Sequence, residues 1–166
     1  MIKKLVCMVI VATTLLALIS CSTENPVNDN GKSYSFIYNE AKFAPGDDFT
    51  LISAKLGEPS GYYEAASCAF DGKDKIYTYG SVQISVSPFD GKDIVFLITL
   101  LDDSLSTPEG IFVGSEKSAV IDAYGEGEDN GSSLVYNSGK VNLVFLIRDG
   151  RVTSVQYRYV DTVTKS

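Results

Sequence analysis

The chain has no histidine and no tryptophan, and only three cysteines among its 166 residues. Without an imidazole it has neither Ser-His-Asp nor Cys-His catalysis and no histidine-based zinc site, and three cysteines do not complete a four-cysteine zinc site. Its glycine-rich stretch 125–131 has no P-loop lysine, and the acidic residues there do not follow EF-hand spacing. We therefore expect no cofactor, no metal ion and no enzymatic activity.

Basic residues are also scarce. Lys and Arg number 14 against 21 Asp and Glu, which gives a formal net charge of −7. A surface of this sign repels phosphate backbones and anionic headgroups. We therefore exclude nucleic acid as a partner and expect a protein or a component of the cell envelope instead.

The amino terminus has the pattern of a secretion signal. Lys3 and Lys4 precede an apolar run from 5 to 19 that only Thr13 and Thr14 interrupt. That run is shorter than the roughly 20 residues that a helix needs to cross a bilayer. It therefore predicts a signal peptide, residues 1–20, rather than a permanent membrane span.

The run ends in Leu18, Ile19, Ser20 and Cys21, which together resemble the lipobox of bacterial lipoproteins. The resemblance implies cleavage after Ser20 and a diacylglyceryl group on the Cys21 sulfur. The protein would then be lipid-anchored on the extracytoplasmic face of a cell membrane. The alternative is an ordinary signal peptide with an incidental cysteine.

The segment that begins at this cysteine, residues 21–32, is polar and rich in asparagine, and it includes Pro26 and Gly31. Such a sequence buries too little apolar surface to order itself, so we expect a flexible tether. The remaining residues, 33–166, have the length of one domain with its own core.

Two parts of this domain have the pattern of β-hairpins. Residues 81–87 alternate strictly between polar and apolar side chains, and residues 94–101 form an apolar run of strand length. Asp90 and Gly91 lie between them and suit a tight turn. The same arrangement returns in residues 141–160, again with an Asp-Gly turn.

Before each hairpin lies a segment with helical spacing that ends at a glycine, Gly57 in the first case and Gly125 in the second. We therefore predict an α+β fold. Its antiparallel sheet is built from two repeated helix-plus-hairpin units, about 33–103 and 104–166, with the helices packed on one face. In this prediction residues 59–75 contain an insertion in the first unit. The alternative is two ordinary hairpins that share common turn chemistry.

The second unit carries a resemblance to known families. Gly114, Val120, Tyr124 and Gly125, followed by a hairpin, are similar to the helix-and-sheet repeat of β-lactamase inhibitory protein and of the BamE/SmpA-type small outer-membrane assembly lipoproteins. The resemblance implies that helices cover one sheet face and that the other face is open, where such folds often bind another protein. The chain matches no partner-binding motif or inhibitory contact residue of these families, so neither specific role carries over.

Two groups of residues are candidates for binding. Tyr62 and Tyr63 lie in the predicted insertion, and tyrosine combines a large rigid surface with a hydrogen-bonding tip. The alternative is that both rings cap the sheet edge or fill the core. Strand alternation places a second group together on the solvent-facing side of the sheet, with a plain solvated surface as the alternative: Gln83, Ser85, Asn142, Gln156 and Arg158.

Three other side chains have reactive groups. We interpret Cys68 as a small buried residue, because a lipid on Cys21 leaves it without a disulfide partner. Asp102 and Asp103 have no nearby partner group in the sequence, and we interpret them as the polar end of a buried strand rather than as an acid and a base.

Three functions are consistent with these patterns. The first is a non-catalytic binding or adaptor module that recognises a protein or an envelope component. The second is a structural or assembly lipoprotein of an envelope complex. The third is an enzyme that uses only carboxylates, which requires two facing carboxyl groups about 5–9.5 Å apart. We favour them in this order.

We predict that Cys21→Ala abolishes membrane anchoring, because the lipid is attached through the Cys21 sulfur and stable anchoring requires more than one acyl chain. The intact mass of the membrane-derived protein should correspond to a diacylglyceryl-modified chain that begins at residue 21. The variant should lack this species, whereas the matched control Cys68→Ala should retain it. An unlipidated mass that begins at another residue would contradict the prediction.

Overall fold

The computed structural model of the protein describes residues 34–160. The predicted signal peptide, Cys21 and the tether lie outside these residues. Within them the chain forms ten β-strands and two α-helices. In chain order these elements are β1 (Phe36–Tyr38), β2 (Ala41–Phe43), α1 (Phe49–Leu56), β3 (Gly61–Ala66), β4 (Lys73–Tyr79), β5 (Val82–Phe89), β6 (Lys92–Leu100), α2 (Lys117–Tyr124), β7 (Glu128–Asp129), β8 (Ser133–Ser138), β9 (Val141–Arg148) and β10 (Arg151–Tyr159).

The fold is predominantly β, and the prediction of an α+β fold with two helix-plus-hairpin units was wrong. Eight strands form one antiparallel sheet in the order β3-β4-β5-β6-β10-β9-β8-β7, and β1 and β2 form a separate two-stranded sheet. Each helix has only eight residues and is followed by four strands rather than by one hairpin.

The additional strands at the two sheet edges lack the alternation on which the prediction depended. β3 forms one edge, and five of its six residues are exposed. β7 forms the other edge with two residues, both exposed. An edge strand with both faces in solvent has no buried stripe, so residues 59–75 had the sequence character of an insertion. That segment in fact contains β3 and the start of β4.

One hydrophobic core lies on a single face of the large sheet. Ile84, Ile98, Leu143 and Val155 of the four central strands are all 0% exposed. The other elements contribute the following buried residues to the same core: Phe36 of β1, Phe43 of β2, Phe49 and Leu56 of α1, and Val120 and Tyr124 of α2. Both helices and the small sheet therefore lie over the same face of the large sheet.

The two predicted Asp-Gly turns are present. Asp90 and Gly91 connect β5 to β6, and Asp149 and Gly150 connect β9 to β10. In each pair φ is 51° at the aspartate and 73° at the glycine. Positive φ at both central residues is the geometry that matches the twist of a two-residue hairpin, which explains the Asp-Gly sequence.

A side-chain cap marks the start of α1, and a glycine marks the end of both helices. The Asp48 side chain accepts a hydrogen bond from the Thr50 backbone N at 3.0 Å and so caps α1. The helices end at Gly57 and Gly125, where φ is 84° and 79°. Helices this short are marginal alone, so both depend on packing against the sheet. Neither helix of residues 34–160 is long and apolar enough to traverse a lipid bilayer.

We predict that Gly127→Ala lowers the free energy of unfolding by about 1–3 kcal/mol. Gly127 lies between α2 and β7, and an added Cβ would meet the Tyr136 ring at 2.7 Å. That ring is 4% exposed, and its hydroxyl donates to the Gly125 carbonyl at 2.9 Å, so it has little room to move. Denaturant unfolding measures the change. In the matched control, Gly61→Ala, the added Cβ would lie 3.4 Å from the Thr78 Cβ, an ordinary contact. An equal loss of stability in both variants would contradict the prediction.

Candidate binding surfaces

The face of the large sheet opposite the core carries the predicted polar residues. In the antiparallel register Gln83 pairs with Thr99, Thr99 pairs with Gln156, and Gln156 pairs with Val144. Directly opposed residues of an antiparallel pair point to the same face. These four side chains therefore form one row across β5, β6, β10 and β9.

A second row runs beside the first. Ser85 pairs with Leu97, Leu97 pairs with Arg158, and Arg158 pairs with Asn142. We name this side of the sheet the open face, because the helices and the small sheet bury their residues on the other side. The structure brings all five predicted polar residues together there: Gln83, Ser85, Asn142, Gln156 and Arg158.

The open face is not uniformly polar. Ile76, Leu97 and Val135 are half-buried on it, and Val144 is only 3% exposed. Ile76 pairs with Ser85, and Val135 pairs with Val144, so these apolar side chains lie in the same two rows as the polar ones. Apolar area bounded by polar residues is typical of surfaces that another protein covers.

Tyr62 and Tyr63 lie in the edge strand β3 rather than in a loop, and they point to opposite faces. Tyr63 pairs with Ile76 on the open face and is 63% exposed. The Tyr62 ring lies 5.0 Å from the Tyr77 ring, centroid to centroid, on the other side of the sheet. Its hydroxyl donates to Glu64 at 2.6 Å, and this hydrogen bond is the main cause that raises the pKa of Tyr62 to about 12. Only Tyr63 therefore belongs to the open face.

Four rings that the sequence patterns did not single out form an aromatic cluster. The centroid of the Phe70 ring lies 5.5 Å from that of Phe89 and 5.9 Å from that of Phe96, and the Tyr159 centroid lies 5.3 Å from that of Phe96. All four rings are half-buried, and none belongs to the core. Phe89 alternates along β5 with Ser85 of the open face, whereas Tyr159 alternates along β10 with Tyr157 of the core side. The cluster therefore lies at the end of the sheet nearest the β5–β6 turn, and Phe89 is its member on the open face. Because the rings come from separate segments, no local pattern in the sequence marks the cluster.

Several charged side chains form local contacts. Lys75 and Asp93 form an ion pair at 2.5 Å. Asp102 accepts hydrogen bonds from Ser104 and Ser81. Its pKa is lowered, mainly because of the hydrogen bonds from Ser104. It is therefore an anionic turn residue at neutral pH. Within residues 34–160 no three Asp, Glu or Cys side chains are grouped so that they would hold a metal ion.

Cys68 is exposed, so its interpretation as a buried residue was wrong. It lies in the connection between β3 and β4, where Ala69 is exposed as well, and Ala66 at the end of β3 is also exposed. The small apolar side chains of this segment suggested a core. They lie instead at the sheet edge, where no second layer covers them.

Comparison with protein-family models, with curated proteins and with solved structures gives no match for this chain. The resemblance to β-lactamase inhibitory protein and to the BamE/SmpA-type lipoproteins therefore stays a prediction.

Proposed function

We propose that the protein is a non-catalytic, lipid-anchored extracytoplasmic module that holds a partner protein against its open face. The anchor is the lipid predicted on Cys21, and the tether of residues 21–32 keeps the domain near the membrane. The observation that carries the proposal is the one-sided sheet. Eight strands bury a core on one face only, and the other face combines polar rows with half-buried apolar side chains.

The chemistry of the open face favours a protein partner. Leu97 and Ile76 provide apolar area whose burial is worth roughly 25 cal/mol per Å². Phe89 extends this area at the end nearest the β5–β6 turn, and Tyr63 extends it at the β3 edge. Aromatic residues and arginine are the types enriched in the cores of protein interfaces.

The guanidinium of Arg158 determines which chemical group of the partner can lie against this part of the open face. Its Nε donates to the Gln156 Oε1 at 2.9 Å, so the side chain is already oriented along the sheet. Arg158 is exposed, and a guanidinium has five N–H donors, most of which remain for other acceptors. Orienting it in advance lowers the entropy cost of binding. We infer that the partner presents a carboxylate or a carbonyl oxygen at this point.

We predict that a photo-crosslinking amino acid in place of Ser85 gives a covalent adduct with one protein in intact cells, because Ser85 lies in the middle of the open face. The same amino acid in place of Asp122, an exposed residue of α2, should give no such adduct. Adding Leu97→Asp to the Ser85 crosslinker should reduce the adduct at least about tenfold, because a charge then enters the apolar part of the interface.

The matched control for Leu97→Asp is Leu51→Asp on α1, where the leucine is 75% exposed and lies off the open face. That variant should leave the Ser85 adduct unchanged. Circular dichroism of both variants checks that the sheet is intact. The proposal fails if Ser85 gives no protein adduct, if Asp122 gives the same adduct as Ser85, or if Leu97→Asp has no larger effect than Leu51→Asp.

A further inference from the structure

A cleft of about 740 Å³ opens on the core side of the molecule, away from the open face. Its walls are the small β1–β2 sheet, residues 108–109 and the end of α2, and its floor includes residues of β8 and β10. Small-molecule sites in proteins have volumes of roughly 300–1,000 Å³. The cleft is therefore large enough for an organic molecule of moderate size.

Four of the residues that line the cleft are aromatic, two are carboxylates, Asp47 and Glu109, and one is a lysine, Lys42. Tyr34, Phe43 and Tyr124 line it, and the Tyr34 and Tyr124 rings pack edge to face with centroids 6.1 Å apart. Glu109 also lines the cleft, and its Oε2 accepts a hydrogen bond from the Tyr124 hydroxyl. Within the described part of the chain Glu109 forms no ion pair. The carboxylates of Asp47 and Glu109 outnumber the ammonium group of Lys42, so the charged residues that line the cleft have a net negative charge.

One residue that lines the cleft has a buried hydroxyl. Tyr157 is 1% exposed and lines the cleft, and its hydroxyl has no hydrogen-bond partner among residues 34–160. Native proteins rarely leave a buried hydroxyl unpaired, because its lost hydration is then not replaced. The pKa of Tyr157 is raised mainly by burial, and in addition by the nearby Glu109 carboxylate. The hydroxyl is therefore protonated and able to donate a hydrogen bond.

We propose that this cleft binds a small organic amine whose carbonyl oxygen accepts a hydrogen bond from the Tyr157 hydroxyl and whose ammonium group pairs with Glu109. The aromatic walls cover the body of the ligand, and the Tyr157 hydroxyl gains the partner that the protein itself does not provide. This site is independent of the open face, because Tyr157 points to the opposite side of β10 from Gln156 and Arg158.

NMR titration of the full chain with para-acetylbenzylamine tests the proposal. This probe has an aromatic body with a carbonyl at one end and an ammonium group at the other. It should shift the resonances of Ala44 and Ala123, which line the cleft. Tyr157→Phe should weaken its binding about tenfold, since one hydrogen bond is lost. Para-ethylbenzylamine, which lacks the carbonyl, should bind Tyr157→Phe and the unchanged protein equally.

Two further variants serve as a control and as a second test. Tyr79→Phe removes the hydroxyl of another buried tyrosine, one outside the cleft, and should leave the affinity unchanged. Glu109→Gln keeps the shape of the wall and should weaken both amines alike. The proposal is overturned if millimolar para-acetylbenzylamine leaves Ala44 and Ala123 unshifted, or if Tyr157→Phe affects both probes equally.

Discussion

The structure depends on the antiparallel pairing of β6 with β10. Because these are the two middle strands of the sheet order, their pairing joins the strands that follow α1 to those that follow α2. Ile98 pairs with Tyr157 and Leu100 pairs with Val155, and all four side chains are at most 1% exposed. A shift of one residue would move Tyr157 and Val155 into solvent and bring Gln156 into the core, so burial determines the register. One continuous core, shared by both helices and the small sheet, follows from this pairing.

The same register produces two surfaces on opposite sides of one strand. Along β10, Gln156 and Arg158 point to the open face, whereas Tyr157 points to the core side and the floor of the cleft. The open face is broad, and it combines polar rows with half-buried apolar residues, which suits a protein partner. The cleft is concave, partly aromatic and acidic at Asp47 and Glu109, which suits a small amine. The two proposed sites can therefore be tested by separate substitutions within the same strand.

Sequence patterns predicted the central strands, because a strand with one buried face alternates between apolar and polar residues. The five polar residues from Gln83 to Arg158 were placed on one face correctly, and both Asp-Gly turns follow from their need for positive φ. The edge strands were not predicted, because solvent on both faces imposes no pattern. For the same reason Tyr62 and Tyr63 were assigned to an insertion rather than to an edge strand, and Cys68 was assigned to the core. The aromatic cluster and the cleft are each formed by residues from separate segments of the chain, and only the fold brings these residues together.

Amide hydrogen exchange resolved by NMR tests the pairing of β6 with β10 most directly. If the eight strands form one sheet, every amide from Ile98 to Leu100 and from Val155 to Tyr157 has a strand neighbour on one side or the other. These amides should then all exchange slowly, whereas in the edge strand β3 those amides that point away from β4 should exchange rapidly. If alternate amides of β6 and β10 exchange as rapidly as those of β3, the two strands are themselves edges. The sheet would then be divided, and the open face with it.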